Sequence, residues 1–219
     1  MLANTQSGSK IPLILTCDEE GGRVNRLMHT VGTTYIGPML DYKDQGTDAA
    51  YSNAYTIAWD MQSLGFNFDL APVADVRSNP KNTVIGDRAY SDDFNQAAEL
   101  VQAAVFGFHD GGVGTALKHF PGHGDTSTDS HDGAVYVNKT LDQLRAAELL
   151  PFQAGIAADS RHGHDRPPHL HPDRQPARHV SYKIVTDLLR GELGFDGVVI
   201  TDGLQMGAMT NSYTGARSR

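Results

Sequence analysis

The chain has 219 residues, of which 39% are hydrophobic and 20% charged, and these proportions are ordinary for a globular protein. A formal net charge of -8 argues against a nucleic-acid binder, because contacts to phosphates need clustered Lys and Arg side chains. No apolar run reaches the length of a membrane span, and the residues before Gly8 lack the apolar core of a signal peptide. Neutral polar substrates stay open.

Short apolar runs alternate along the chain with segments in which apolar residues recur at the spacing of a helix. Thr140 and Ser181 are expected to cap two of these helices. In chain order, we predict strand 11–16, helix 49–64, strand 66–73, helix 94–109, strand 113–118, helix 141–158, helix 181–193 and strand 195–201. Continuous apolar strands that alternate with helices predict a parallel α/β sheet.

Polar or glycine-rich sequence follows each predicted strand, at Asp18, Asp75, Lys118-His119 and Asp202. The carboxyl ends of parallel strands are where α/β barrels place their active sites, and an open doubly wound sheet binds ligands there too. The phosphate-binding glycine fingerprint of many open sheets does not follow the first predicted strand, which favours the barrel.

The densest polar segment runs from Lys118 to Thr126 and is followed at once by Asp129-Ser130-His131. It comes directly after the apolar run that ends at Leu117. A buried core has little use for so many titratable groups, because burying a polar group costs free energy unless it is paired. We therefore expect a functional site at the end of this strand.

Residues 160–179 form an anomalous segment with five His, four Pro and four Arg. Neither helix nor strand periodicity is visible in it. Metal binding through His162, His164, His169 and His171 is disfavoured, because no fixed scaffold orients these side chains. We favour a slip of the reading frame here, which a clean single frame on resequencing would contradict.

Five segments in the same order resemble the glycoside hydrolase family 3 β-N-acetylglucosaminidases. The segments are Asp18–Leu27, Phe68–Val76, Ile85–Tyr90, Lys118–His131 and Gly194–Met206. The resemblance implies a (β/α)8 barrel of the TIM type as a single domain over residues 1–219, and no metal or organic cofactor. It also implies that the first and last strand–helix units of the barrel are missing, so that exposed barrel edges favour self-association.

The resemblance further implies retaining hydrolysis of a terminal β-linked N-acetylglucosamine from cell-wall or chitin-derived saccharides. Asp202 would be the nucleophile, and His131 would be the general acid/base, oriented by Asp129. A retaining mechanism needs a carboxylate on one face of the anomeric carbon and a proton donor on the other. Histidine titrates near neutrality and suits the second role.

Four further residues match the family's sugar contacts: Asp18 would grip outer hydroxyls, Arg88 would anchor the sugar, and Lys118 and His119 would bind hydroxyls. Simpler roles stay open, namely a structural Asp18–Arg88 ion pair, a helix cap for Asp202 and a surface turn for Asp129 and His131.

Two rival functions stay open as well. One is a glycoside phosphorylase of the same fold, because a neutral histidine repels phosphate less than a carboxylate does. The other is a sugar-binding remnant with impaired catalysis. The family occurs both in the cytoplasm and outside the cell, so the resemblance leaves the compartment undetermined.

Overall fold

The computed structural model describes residues 2–125, 139–160, 170–173 and 182–201, with only the backbone given for 170–173. In chain order, the helices are α1 Leu2–Ser7, α2 Arg26–Val31, α3 Gly46–Leu64, α4 Phe94–Asp110, α5 Leu141–Ala146 and α6 Leu149–Ser160. The strands are β1 Thr16–Cys17, β2 Glu19–Gly21, β3 Val24–Asn25, β4 Phe68–Asp69, β5 Gly114–Thr115, β6 Leu170–Asp173 and β7 Val198–Thr201. Short 3₁₀ helices cover Met39–Gln45 and Gly86–Arg88, and a helix with π-type hydrogen bonds covers Lys183–Glu192.

The central sheet consists of β1, β4 and β5, which are parallel and lie in the order of the chain. The two connections between these strands contain α3 and α4, which pack on each other. A backbone bridge between Val73 and Lys118 continues the pairing of the β4 and β5 segments beyond the strands themselves. The predicted parallel α/β arrangement of this region is therefore confirmed.

The core lies between the sheet and the helices. Its largest fully buried side chains include Phe68, Phe108, Phe120, Phe152 and Met61. Burial of such side chains contributes about 1.5–3 kcal/mol each to folding. Among the described helices, none is long and apolar enough to cross a membrane.

The prediction of a buried strand over residues 11–16 is wrong in its bounds and its burial. Of residues 11–16, only Thr16 lies in β1, and Ile11 is 75% exposed. Pro12 lacks a backbone N–H and restricts the residue before it, which disfavours regular pairing here. The side chain of Asn67 satisfies this stretch instead, since it accepts from the Leu15 N–H at 2.8 Å and donates to the Leu13 carbonyl at 2.9 Å.

The predicted helix over residues 141–158 is two helices. Thr140 caps α5 as expected, in a capping box with Gln143. The chain leaves helical geometry at Ala147, where φ is -142° and ψ is -87°. Pro151 cannot donate a hydrogen bond to the carbonyl four residues earlier, so a continuous helix through this point is disfavoured and α6 begins with Pro151 in its first turn.

Two other predictions change near the carboxyl end of the chain. The anomalous segment contains a strand after all, because β6 pairs in parallel with β7 from Leu170↔Val198 to Asp173↔Thr201. The predicted strand over residues 195–201 is shorter, with β7 beginning at Val198. Ser181, the expected helix cap, lies outside the described residues.

Candidate active site

The carboxyl ends of the three central strands gather polar residues that are far apart in the chain. Asp18 follows β1, Asp69 ends β4, and Lys118 lies shortly after β5. The amide of Ala74 donates to the Lys118 carbonyl at 2.6 Å, which fixes the chain on either side of the site. The parallel topology therefore places Asp18 and Lys118, two of the predicted residues, at one edge of the sheet.

Lys118 is buried with two carboxylates around its ammonium group. Its Nζ lies 2.6 Å from Asp18 Oδ1 and 2.5 Å from Glu20 Oε1. Burial by itself would lower the pKa of Lys118, but the charges of Glu20 and Asp18 outweigh this effect and raise it. Lys118 is therefore a fixed cation, and Asp18, whose side chain is 38% exposed, is the partner open to solvent.

Arg88 is held by Glu20 in a bidentate ion pair, with Nε at 2.7 Å and Nη2 at 2.8 Å from the two carboxylate oxygens. Its Nη1 also donates to the Val84 carbonyl at 3.1 Å. Burial alone would raise the pKa of Glu20, yet Lys118 and Arg88 together lower it to about 2. Glu20 is thus the shared anion that connects two of the predicted sugar contacts.

His119 is oriented by the buried carboxylate of Asp75. The Asp75 Oδ2 atom lies 2.5 Å from His119 Nδ1 and accepts the His119 backbone N–H at 3.1 Å, while Oδ1 accepts the His123 N–H at 2.6 Å. A carboxylate at Nδ1 favours a proton on that nitrogen and leaves Nε2 as the acceptor. His119 Nε2 lies 3.4 Å from Arg88 Nη2, so the imidazole joins the same cluster.

The loop after Lys118 is also anchored through its backbone. The carbonyl of His123 accepts a hydrogen bond from Asn82 Nδ2 at 2.7 Å. The imidazole of His123 meets that of His119 edge to face, with ring centroids 6.2 Å apart. These contacts support a positional role for His123, as its place in the Pro-Gly turn suggests.

The roles of Glu20 and Asp75 were not predicted from the sequence. A signal for Glu20 was available, because Asp18 and Glu20 are two residues apart and share one side of an extended chain. Glu19 points elsewhere, and its Oε2 accepts the N–H groups of Arg26 and Leu27 at the start of α2. The alternative of a structural Asp18–Arg88 ion pair is wrong, since Asp18 binds Lys118 and the carboxylate partner of Arg88 is Glu20.

Asp69 lies beneath this cluster and is fully buried. Its Oδ1 accepts the Glu19 N–H at 3.0 Å, which fixes β2 on the end of β4, and its Oδ2 has no hydrogen-bond partner among the described residues. Burial raises the pKa of Asp69 well above its ordinary value. Its hydrogen bond to the Glu19 N–H gives this carboxyl group a structural role at the end of β4.

The three predicted catalytic residues, Asp202, His131 and Asp129, lie outside the described residues. Asp202 directly follows Thr201, the last residue of β7. Asp125 and Lys139 flank the segment that contains Asp129 and His131. These two flanking residues form an ion pair, in which Lys139 Nζ lies 3.1 Å from Asp125 Oδ2. Lys139 also pairs with the buried carboxylate of Glu148, which ties these ends to the start of α6.

The described cluster suits a neutral ligand rich in hydroxyl groups. It combines two fixed cations with carboxylates and an imidazole acceptor, and only part of it reaches solvent. Hydrogen bonds to charged groups are stronger than those between neutral groups, which favours orientation of a polar ligand. Within residues 2–125, 139–160 and 182–201, no cluster of three or more His, Cys, Asp or Glu side chains is arranged to hold a metal ion.

Relatives with known names match most of this chain. A beta-hexosaminidase A of Pseudoalteromonas piscicida is 39% identical over 96% of the chain and 38% of that protein's length. A beta-hexosaminidase of Stenotrophomonas maltophilia is 37% identical over 90% of the chain and 60% of that protein's length. The chain thus spans between about two fifths and three fifths of the length of these relatives.

Solved structures of the same kind superpose well. A glycoside hydrolase family 3 β-N-acetylglucosaminidase from Paenibacillus sp. gives a TM-score of 0.81 at 38% identity, over 93% of this chain and 39% of that one. A glycosyl hydrolase of the GH3 family from Mycobacterium smegmatis gives 0.79 at 34% identity, over 96% of this chain and 67% of that one.

The family-specific match covers nearly the whole chain. The sequence model of the family described as Glycosyl hydrolase family 3 N terminal domain matches residues 2–218. This match agrees with the barrel-type α/β fold expected from the sequence. The chain therefore belongs to glycoside hydrolase family 3, of which it contains N-terminal domain sequence.

Proposed function

We propose that this chain carries the sugar-binding and catalytic residues of a retaining glycoside hydrolase that removes terminal β-linked N-acetylglucosamine. The observation that carries the proposal is the buried cluster of Lys118, Arg88 and His119 at the strand ends, held by Glu20 and Asp75. Such a cluster offers donors and acceptors to sugar hydroxyls without burying an unpaired charge. Cell-wall or chitin-derived saccharides are the proposed source of the substrate.

In the proposed mechanism, the Asp202 carboxylate attacks the anomeric carbon while His131 gives its proton to the leaving oxygen. The bond between the anomeric carbon and that oxygen breaks, and a covalent glycosyl intermediate remains on Asp202. Neutral His131 then takes a proton from water, which displaces Asp202 with overall retention. Asp129 would orient the imidazole and stabilise its protonated form.

The described residues would act on binding and orientation. Asp18, as the exposed carboxylate of the cluster, would accept hydrogen bonds from outer hydroxyls of the sugar. Lys118 and Arg88 would donate to ring hydroxyls from fixed positions. Misplacement of such groups by about 1 Å costs roughly a hundredfold in rate, so the contacts of Glu20 and Asp75 matter for turnover.

The test is release of a chromogenic leaving group from a β-N-acetylglucosaminide. The Asp202→Asn variant keeps the shape of the side chain but lacks the nucleophile, so we expect a loss of at least about a thousandfold in kcat. Asp196→Asn is the matched control, because Asp196 is an exposed aspartate just before β7, and we expect its substitution to leave turnover unchanged.

Retained turnover in Asp202→Asn would contradict the nucleophile assignment. No turnover in the unaltered chain would favour the sugar-binding remnant. A product that carries phosphate when the assay contains inorganic phosphate would identify a phosphorylase instead of a hydrolase.

A further inference from the structure

Arg23 lies in the turn between β2 and β3 and binds the backbone of a loop that is distant in the chain. Its Nη2 atom donates to the carbonyl oxygens of Thr83 at 2.8 Å, Val84 at 2.7 Å and Ile85 at 3.1 Å. Its Nε atom lies 3.2 Å from Asp87 Oδ1. One guanidinium group therefore spans the stretch of chain that leads into the second 3₁₀ helix.

Two of these three carbonyl groups also hold Arg88. The Val84 carbonyl accepts Arg88 Nη1 at 3.1 Å, and the Ile85 carbonyl accepts the Arg88 backbone N–H at 2.9 Å. The side chain and the backbone of Arg88 thus each depend on an oxygen atom that Arg23 binds as well. Hydrogen bonds from a charged donor are stronger than those between neutral groups, so Arg23 restricts the direction of both carbonyl groups.

The N–H groups of the same loop are bound from inside the protein. Asn82 is 2% exposed, and its Oδ1 accepts the N–H groups of Val84 and Ile85, both at 2.9 Å. Both peptide groups between Thr83 and Ile85 therefore have their oxygen bound by Arg23 and their N–H bound by Asn82. A binding side chain is held precisely when its own supports are fixed in this way.

The hairpin that carries Arg23 is itself fixed. Gly22 has a φ of 55°, its N–H donates to the Ile36 carbonyl at 2.8 Å, and a Cβ atom at Gly22 would lie 2.9 Å from Pro38 Cα. The turn thus packs closely on the chain beside it. The strand before the turn, β2, carries Glu20, the carboxylate partner of Arg88. One hairpin therefore holds Arg88 from two sides, through its guanidinium group and through the backbone of its loop.

We propose that Arg23 is a positioning residue that sets the place of Arg88 as a sugar anchor. Arg23 acts through the carbonyl groups of Val84 and Ile85 and does not itself touch the sugar. The role of Arg88 in sugar binding rests on the proposed function. As an anchor, Arg88 contributes to binding before and during the reaction alike, so its displacement raises KM and leaves kcat nearly unchanged.

The first test is the kinetics of Arg23→Met, which keeps an unbranched side chain but loses the charge and the donors. We expect KM for a chromogenic β-N-acetylglucosaminide to rise about tenfold while kcat stays within about twofold. The rise should be smaller than the roughly hundredfold loss for a displacement of about 1 Å, because Glu20 still holds the Arg88 guanidinium. A residue that only stabilises the fold would lower the active fraction, and hence the apparent kcat, at constant KM, and that result would overturn the proposal.

Three variants serve as controls. Lys43→Met removes another cation from a surface ion pair and should leave KM unchanged. Arg23→Lys keeps the charge but lacks the planar fork, so its KM should lie between those of the unaltered chain and Arg23→Met. Asp87→Asn removes the ion pair of Arg23 but keeps the three carbonyl contacts, and KM should change less than about twofold. An equal rise in Asp87→Asn and Arg23→Met would assign the effect to the ion pair and overturn the proposal.

A double substitution tests whether Arg23 acts through Arg88. In an Arg88→Met background the anchor is already lost, so adding Arg23→Met should leave KM where Arg88→Met puts it. A further rise of about tenfold in the double variant would show that Arg23 acts independently of Arg88, and the proposal would be wrong.

Hydrogen exchange tests the hold on the loop without relying on activity. The backbone amides of residues 83–88 should exchange faster in Arg23→Met than in the unaltered chain or Lys43→Met, because the loop loses the bonds to its carbonyl groups. Unchanged exchange would overturn the proposal. Faster exchange in a chain that hydrolyses no β-N-acetylglucosaminide would mean that the proposed function fails, while the placement of Arg88 by Arg23 stands.

Discussion

Substitution of Glu20 by Gln tests whether one buried carboxylate holds the predicted sugar contacts in place. Glu20 accepts two hydrogen bonds from Arg88 and lies 2.5 Å from the ammonium of Lys118, which is 4% exposed. In Glu20→Gln, Lys118 keeps only the partly exposed Asp18 as an anionic partner, and Arg88 loses its bidentate carboxylate. Both cations then remain at the strand ends without their shared anion.

The magnitude follows from the pKa of Glu20, which falls from 4.5 to about 2 on folding. One pKa unit corresponds to about 1.4 kcal/mol, so ionised Glu20 contributes about 3 kcal/mol to stability at neutral pH. Removal of one partner of a buried ion pair typically costs about 3–5 kcal/mol, which agrees in size. We therefore expect Glu20→Gln to lower the free energy of unfolding by about 3 kcal/mol.

The pH dependence has a defined sign. Because folding lowers the pKa of Glu20, this contribution is complete above the unfolded value of 4.5 and is lost as the pH falls towards 2. The Gln variant lacks a group that titrates, so the difference in stability between the two proteins should shrink over this interval.

Urea unfolding at several pH values measures these differences. The matched control is Asp92→Asn, which breaks the surface ion pair of Asp92 and Lys43 and should cost less than about 1 kcal/mol. If Glu20→Gln costs no more than the control, or if its cost does not depend on pH below 4.5, the inferred role of Glu20 is wrong.

Three other substitutions test separate parts of the site. Asp75→Asn should reduce kcat/KM by about 10- to 100-fold because the imidazole loses its orienting carboxylate, and an unchanged kcat/KM would contradict that role. Asp69→Asn should stabilise the protein increasingly as the pH rises above the unfolded pKa of 3.8, because folding raises the pKa of this carboxyl group. Urea unfolding at acid and alkaline pH measures this trend. A difference in the free energy of unfolding that stays constant with pH would refute it. Lys139→Met should lower the free energy of unfolding by about 3 kcal/mol, because it leaves Glu148 without its cation. Adding Glu148→Gln should restore part of this loss in the same unfolding assay. Additive losses of the two substitutions would exclude the coupling.

Chain order and local chemistry were sufficient for the general arrangement. The predicted bounds of α3 and α4 agree with the structure to within three residues at the start of each helix and one residue at its end. The agreement arises because apolar residues at helical spacing bury one face of each helix, and because Asp93 caps the start of α4. The gathering of Asp18, Asp75, Lys118 and His119 was also predictable. Parallel strands joined by helices bring their carboxyl ends to one edge of the sheet.

Other features depended on contacts between distant segments. No local pattern reveals that Asn67 completes the hydrogen bonds of the stretch before β1, so the apolar run at Ile11 resembled a buried strand. The break between α5 and α6 was visible only as Pro151, whose effect depends on the position of the proline within the helix.

The amino-acid sequence alone was sufficient to predict the residue types of the site, their order and the family that they resemble. The tertiary structure decided which charge pairs with which: Glu20, and not Asp18, binds Arg88, and Asp75 orients His119. These pairs join residues between about 40 and 70 positions apart, and their strength comes from burial, which no local pattern encodes. A buried charge needs a partner, but only the packed fold selects which partner lies within reach.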